Sequence, residues 1–295
     1  MEHQIINYNS SIDGSVQSAL GYFAQGSEAR PLLVALHEWS SDYTQALEKR
    51  EYIEFCRAND WHFIHPDFRG PNNNPMATGS KEAVRDIIDA VEFVKDNHSV
   101  DDRAVFLVGV SGGGYTALMT LSQYPDIWSA VSVWVPIVDL ARWYEQCRAR
   151  GLAKYCKDIE LSCGGVPEKE GHAFAEAQKR SPINYLRQIP GLDIDINAGI
   201  NDGHIGSVPI EHSFRAFNAI VDEIDRVPDN EISEFVSKKR VPDCLKGNYI
   251  DDAYGVNKVL FRRISKKVRL TIFDGGHEIL FKPVFNWLKM QLDLV

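Results

Sequence analysis

The sequence predicts an α/β fold: a mainly parallel, twisted sheet with helices on both faces. Three observations carry this expectation. Runs such as "PLLVALHEW" (31–39) and "RAVFLVGV" (103–110) are almost continuously apolar, as strands covered on both faces are. Stretches with apolar residues at helical spacing lie between such runs, most clearly at 81–97 with Val84, Ile87, Ile88, Val91 and Val94. The two kinds of segment alternate along the chain, which is the pattern of crossover connections between parallel strands.

Taken in order, residues 2–8 and 15–23 alternate enough to be strands, and "SSIDGS" between them has turn chemistry, so an N-terminal antiparallel hairpin is expected. A strand at 31–39 follows, then a helical stretch through Leu47, Ile53 and Phe55, then a strand at 61–66. "PDFRGPNNNPMATGS" reads as a loop, 81–97 as a helix, 103–110 as a strand and 112–124 as a helix. Further strands are expected at 128–136, at 192–200 with a partly solvated polar face, and at 267–273; the last helix is expected over 277–292. Two stretches interrupt the alternation. Residues 139–190 are expected to form a lid or cap, and 224–262 a second, irregular insertion; both follow strand ends, where open α/β sheets place their crevice. Residues 1–295 are otherwise read as a single domain.

The composition is that of a globular chain, with 44% hydrophobic and 25% charged residues. A net charge of −9 argues against nucleic acid or an anionic membrane as the main partner. No apolar run approaches the roughly 20 residues that span a bilayer. The N-terminus lacks a basic stretch followed by an apolar one, so a cytoplasmic location is expected. The five cysteines are odd in number and irregularly spaced, as expected of reduced thiols. Cys147, Cys156 and Cys163 cluster near His172, but the spacing matches no zinc pattern; neither metal nor cofactor is expected. Oligomeric state is open, a homo-oligomer included.

Gly109-Val110-Ser111-Gly112-Gly113 fits G-x-S-x-G between a buried strand and a helix. Glycines relieve crowding at such a turn, which lifts a serine hydroxyl above the sheet edge and next to a helix N-terminus. Serine at its free pKa is a weak nucleophile and needs a base. His277 stands in "FDGGHEI" just past the last expected strand, with His204 as the alternative. An orienting carboxylate is expected from Asp202, in "GINDGHIGSVP" after the strand 192–200, with Asp139 as the second choice. Donors for an oxyanion are expected from the Gly112 N–H and from the loop after the strand at 31–37, through the Trp39 N–H or, failing that, Glu38. Glu38, Tyr115 and Trp143 are expected to contact substrate, and the Trp39 ring to wall the site.

These residues together resemble the α/β-hydrolase superfamily and, within it, the prolyl-oligopeptidase-like serine hydrolases (peptidase S9). The resemblance runs through "LHEWSSD", "DFRG…GSKEAVRDIIDAV", "GVSGGGYTALM", "SPINYL", "AGINDGHIGSVPIEHS" and "DGGHE". It implies Ser111 as nucleophile, Asp202 as acid, His277 as base and the loop after residue 37 as an oxyanion donor. The loop that commonly reads His-Gly in this group reads His37-Glu38 here. No pair of glutamates stands out as a clamp for a peptide amino terminus. The expected function is therefore cleavage of a carboxylic ester through an acyl-enzyme, the alternatives being a peptidase for short peptides and a binding protein on a hydrolase scaffold.

Overall fold

The computed structural model describes residues 3–189 and 191–294; residues 1, 2, 190 and 295, at the limits of the expected domain, first strand and lid, lie outside the described residues. The chain opens with β1 (Gln4–Asn9) and β2 (Val16–Tyr22), an antiparallel pair with Asn9 opposite Val16. β3 (Arg30–Leu36), α1 (Glu51–Asn59), β4 (His62–Pro66), α2 (Lys81–Asn97), β5 (Val100–Val110), α3 (Gly112–Gln123) and β6 (Ala130–Trp134) continue the alternation. Three helices follow, α4 (Leu140–Ala149), α5 (Ala153–Cys163) and α6 (His172–Lys179). The remainder is β7 (Asp193–Gly199), α7 (Glu211–Ile220), α8 (Asp229–Lys238), β8 (Val259–Ser265), β9 (Val268–Phe273) and α9 (Phe281–Leu292).

These strands make one nine-stranded sheet in the order β1-β2-β4-β3-β5-β6-β7-β9-β8. The run from β4 to β9 is parallel, and the antiparallel pairs stand at its two sides. Burial explains the apolar runs: the last seven residues of β5 and all five of β6 are buried. α2 begins where the Ser80 hydroxyl accepts from the Ala83 N–H at 3.0 Å, and its five apolar residues at helical spacing are all buried. On one face α1 meets α9 through the stacked rings of Phe55 and Phe285, 4.1 Å apart, while α2, α3 and α7 cover the other.

The structure departs from the sequence expectations in four places. Residues 224–262 are not wholly irregular: they contain α8 and the start of β8. α8 buries only Ile232 and Phe235, too narrow a stripe to read against its polar residues. β8 is an edge strand, where Arg262 and Arg263 are tolerated and break the apolar pattern. The last helix starts at Phe281 rather than His277, which leaves 277–280 as loop. The polar face of β7 is not solvated. Asp195 and Asn197 are fully buried, and Asp195 accepts from Arg269 at 2.7 Å, from Ser132 at 3.1 Å and from Asn197 at 2.7 Å. Finally, β3 ends at Leu36, so residues 37–39 form its exit loop.

Residues 139–190 fold as α4, α5 and α6 followed by two 3-10 turns. They enclose a second core of Leu140, Trp143, Tyr144, Cys147, Ile159 and Cys163, joined to the main body by Trp39, Tyr115 and Met119. The base of this unit is pinned by His212. Its Nδ1 accepts from the Val138 N–H at 3.2 Å, so the ring proton sits on Nε2 and is donated to Gln146 Oε1 at 2.9 Å. Arg142 makes a two-pronged pair with Glu211 at 2.6 and 2.9 Å beside it. Burial pushes the His212 pKa down to about 3, against the pull of Glu211 and with the push of Arg142 and Arg215. Below the ordinary histidine value of 6.5 the unfolded chain therefore takes up a proton here that the folded chain refuses, and stability falls as pH drops from there toward about 3. This one group is expected to remove about 2 kcal/mol between pH ~7.5 and pH ~5. Urea denaturation at both pH values should show a smaller acid loss in His212→Asn than in wild type; equal losses would assign the acid sensitivity elsewhere.

Candidate active site

β5, β7 and β9 run parallel in the one sheet, so their C-terminal ends open on the same edge. Each of Ser111, Asp202 and His277 follows one of these ends. β5 and β9 lie three strand spacings apart, about 14 Å, so the loops have to fold back over the edge to meet.

Ser111 caps α3 with φ 56° and ψ −117°, a backbone state that costs a non-glycine residue about 1–3 kcal/mol. Its N–H donates to Trp134 O at 2.8 Å, and its carbonyl accepts from Tyr115 N–H at 2.9 Å, which locks the turn from both sides. The glycines beside it are there for contact. A Cβ on Gly113 would sit 2.3 Å from Leu36 O, and one on Gly112 would sit 2.3 Å from Trp39 N. No side chain fits, and the exit loop of β3 therefore lies directly against the start of α3.

The side holding Asp202 and His277 is built in the same way. Asp202 is 2% exposed and accepts from the Gly203 N–H at 2.8 Å. The Asn201 N–H donates to Gly275 O at 3.0 Å, tying the loop after β7 to the loop after β9. His277 Nδ1 lies 3.0 and 2.9 Å from the two carboxylate oxygens of Asp202. The carboxylate can only accept, so Nδ1 carries the proton and Nε2 is left as an acceptor. Ser111 Oγ donates to that Nε2 at 2.7 Å. A hydroxyl held on a neutral imidazole in this way can give up its proton as it attacks an electrophile.

The other expected site residues fall differently. The His204 ring bonds Val236 O at 2.7 Å, toward α8, and Asp139 is the N-cap of α4, accepting from the Arg142 N–H at 3.0 Å. The Glu38 N–H donates to Gln45 Oε1 at 2.8 Å, and its side chain pairs with Lys49. Among the described residues, neither the Trp39 N–H nor the Gly112 N–H meets an acceptor. The Trp39 ring does not wall an open site. It is 3% exposed, lies 4.7 Å from Trp143 and 5.7 Å from Tyr115, and donates from Nε1 to Asp158 at 3.0 Å. Tyr115 and Trp143, expected at the substrate, are core residues: the Tyr115 hydroxyl donates to Arg180 O at 2.7 Å and Trp143 Nε1 to Ser207 O at 3.0 Å. Both are closed off from solvent and already partnered.

Two residues were missed by the sequence reading. A Cβ on Gly206 would lie 2.2 Å from His277 Cβ and 2.3 Å from Asp202 Oδ1, so Gly206 forms the floor beneath that pair. Arg150, from the helical unit, donates to Gly206 O at 2.6 Å and to Ser207 O at 3.2 Å. Gly206 stands in the "NDGHIGS" stretch, but its contact is tertiary; nothing local marks Arg150. Among the described residues, no group of three His, Cys, Asp or Glu side chains is placed to hold a metal ion, all five cysteines are free, and no helix is long and apolar enough to cross a membrane.

The model of the prolyl oligopeptidase family matches residues 75–226, a span that holds Ser111 and Asp202. A curated relative, poly(3-hydroxyalkanoate) depolymerase C of Paucimonas lemoignei, is 25% identical over 112 residues, which are 35% of this chain and 27% of that protein. Among solved structures, Pyrococcus horikoshii acylaminoacyl peptidase is 15% identical with a TM-score of 0.62, covering 99% of this chain and 41% of that one. A puromycin hydrolase is 15% identical with a TM-score of 0.67, covering 99% and 39%. The chain thus shares the α/β-hydrolase fold with these structures, while spanning well under half of the proteins it matches.

Gly206→Ala is expected to push His277 off Asp202 while the fold persists. Proton NMR reads this directly: the far-downfield Nδ1 proton of wild type should move upfield or vanish in the variant. An unchanged resonance would show that Gly206 does not set the imidazole position.

Proposed function

The chain belongs to the prolyl oligopeptidase family, and on that basis we propose that it is a serine hydrolase working through an acyl-enzyme on Ser111. The observation that carries the reading is the unbroken chain Ser111 Oγ to His277 Nε2 at 2.7 Å and His277 Nδ1 to Asp202 at 2.9 Å. Ser111 Oγ attacks the substrate carbonyl carbon as its proton passes to His277 Nε2. Asp202 holds the ring in the required tautomer and stabilises the imidazolium. The carbonyl oxygen becomes an oxyanion, received by the Trp39 and Gly112 N–H groups, whose backbones touch across the glycine. The bond to the leaving group breaks, the imidazolium proton goes to the departing oxygen or nitrogen, and water then repeats the sequence to free Ser111. The occupation of the Glu38 N–H by Gln45 supports Trp39 as the donor from that loop.

The substrate we assign is a carboxylic ester of small size. An alkoxide leaves more readily than an amine, and the curated relative is by name a poly(3-hydroxyalkanoate) depolymerase. Ile205, 79% exposed, is an apolar residue on the same loop, next in sequence to Gly206, which lies against His277. The peptidase reading is favoured by the family itself and by structural neighbours named as peptidases. We take the α4–α6 unit to be the lid, since its Arg150 grips the acid-bearing loop.

A fluorophosphonate probe should label Ser111 alone in the folded protein; absence of label would remove the acyl-enzyme. Turnover of p-nitrophenyl acetate should greatly exceed that of aminoacyl-p-nitroanilides, and the reverse ranking would make the enzyme a peptidase. His204→Ala should leave ester turnover near wild type.

A further inference from the structure

The sequence has seventeen arginines, and fourteen of them have a described partner: a carboxylate, a backbone carbonyl or, for Arg57, an aromatic ring. Among the described residues, Arg187, Arg215 and Arg226 alone make neither a hydrogen bond nor an ion pair through the guanidinium, and all three line the same cleft. In a chain with 41 acidic residues against 32 basic ones, three guanidinium groups without an ion-pair partner among the described residues face one concavity.

The cleft has a volume of about 720 Å³ and is bounded by the 3-10 turns that follow α6, by α7, and by the segment leading into α8. Arg187, Arg215 and Arg226 come from these three separate pieces, so their convergence is a tertiary feature and not one helix face. The Arg226 Nε has no solvent-accessible surface and no acceptor, a donor desolvated without recompense. Its segment is held firmly: the Asn218 amide donates to Val227 O at 2.7 Å and accepts from the Val227 N–H at 2.9 Å, and Arg263 donates to Arg226 O at 2.8 Å. Glu223 and Asp229 also line the cleft, outside ion-pairing distance of the three guanidinium groups, so the cleft keeps a net positive charge. Ile183, Ala219 and Val227 supply apolar wall.

We propose that this cleft is a binding site for a small molecule bearing several anionic oxygens, a phosphate ester or a polycarboxylate. Guanidinium groups present paired, coplanar N–H donors that match both kinds of oxygen set, and the terminal N–H groups of Arg187, Arg215 and Arg226 have no acceptor of their own among the described residues. The site is separate from the triad: its residues come from the flank of α7, whereas Ser111, Asp202 and His277 stand on loops at the sheet edge. None of its residues is used in the hydrolytic reading.

Isothermal titration calorimetry of the whole chain with pyrophosphate and, separately, with citrate, each at matched ionic strength, tests this. Saturable binding of either is expected, weakened about tenfold or more in Arg215→Gln and in Arg226→Gln. Pyrophosphate active and citrate silent identifies phosphate chemistry; the converse identifies carboxylate chemistry. Glu223→Gln removes a negative charge from the same wall, leaves the arginines in place, and should tighten binding, which gives a reading even if an arginine variant folds poorly. No saturable heat with either anion, or equal affinity in wild type and all three variants, overturns the proposal.

Discussion

The site depends on one bridging ring. His277 connects a serine after β5 to an aspartate after β7, and the loops around it close up at two glycine positions. At Gly112 the start of α3 lies against Trp39, and at Gly206 the loop after β7 lies against His277 itself. A side chain at Gly206 would crowd groups whose hydrogen bonds are 2.9 to 3.0 Å long, and one at Gly112 would push the exit loop of β3 away from α3. Three side chains distant in sequence thus reach contact through close packing against glycine, with a parallel sheet fixing which edge they share.

Holding that geometry has a cost, and the surrounding structure offsets it. Ser111 is kept in an unfavourable backbone state by hydrogen bonds to Trp134 and Tyr115 and by two core clusters that meet there. The second cluster is the less expected support. Trp39 reaches from the exit loop of β3 into the α4–α6 unit, stacks edge-on against Trp143 and donates to Asp158 of α5. Arg150 returns from that unit to the loop carrying Gly206. The helical unit therefore grips both the loop we assign to the oxyanion and the loop bearing Asp202, so a shift of these helices would be felt at both ends of the site.

Much of this was legible in the sequence, for physical reasons that differ by residue. Ser111, Asp202 and His277 each come shortly after an expected strand, with glycine nearby, so their place at one sheet edge followed from the parallel topology. Tyr115 and Trp143 were read as substrate contacts and are buried instead, because an aromatic residue near a site looks the same in sequence whether it lines a pocket or fills a core. Asp195 was read as partly solvated; its half-buried partner Arg269 is 74 residues away, and no local pattern announces the pair. α8 and β8 were lost in a polar stretch because one buries two side chains and the other is an edge strand with two arginines. Gly206 and Arg150 act through contacts that exist only once the loops have met.

If the hydroxyl, imidazole and carboxylate operate as a single device, losing one member removes what the others contribute. The most direct test is the ester kcat/KM of Ser111→Ala, His277→Ala and the double variant, each verified as folded. Each single change should cost several orders of magnitude, and the double variant should be no slower than the slower single one. Losses that multiply in the double variant would mean that Ser111 and His277 act independently, contradicting the account.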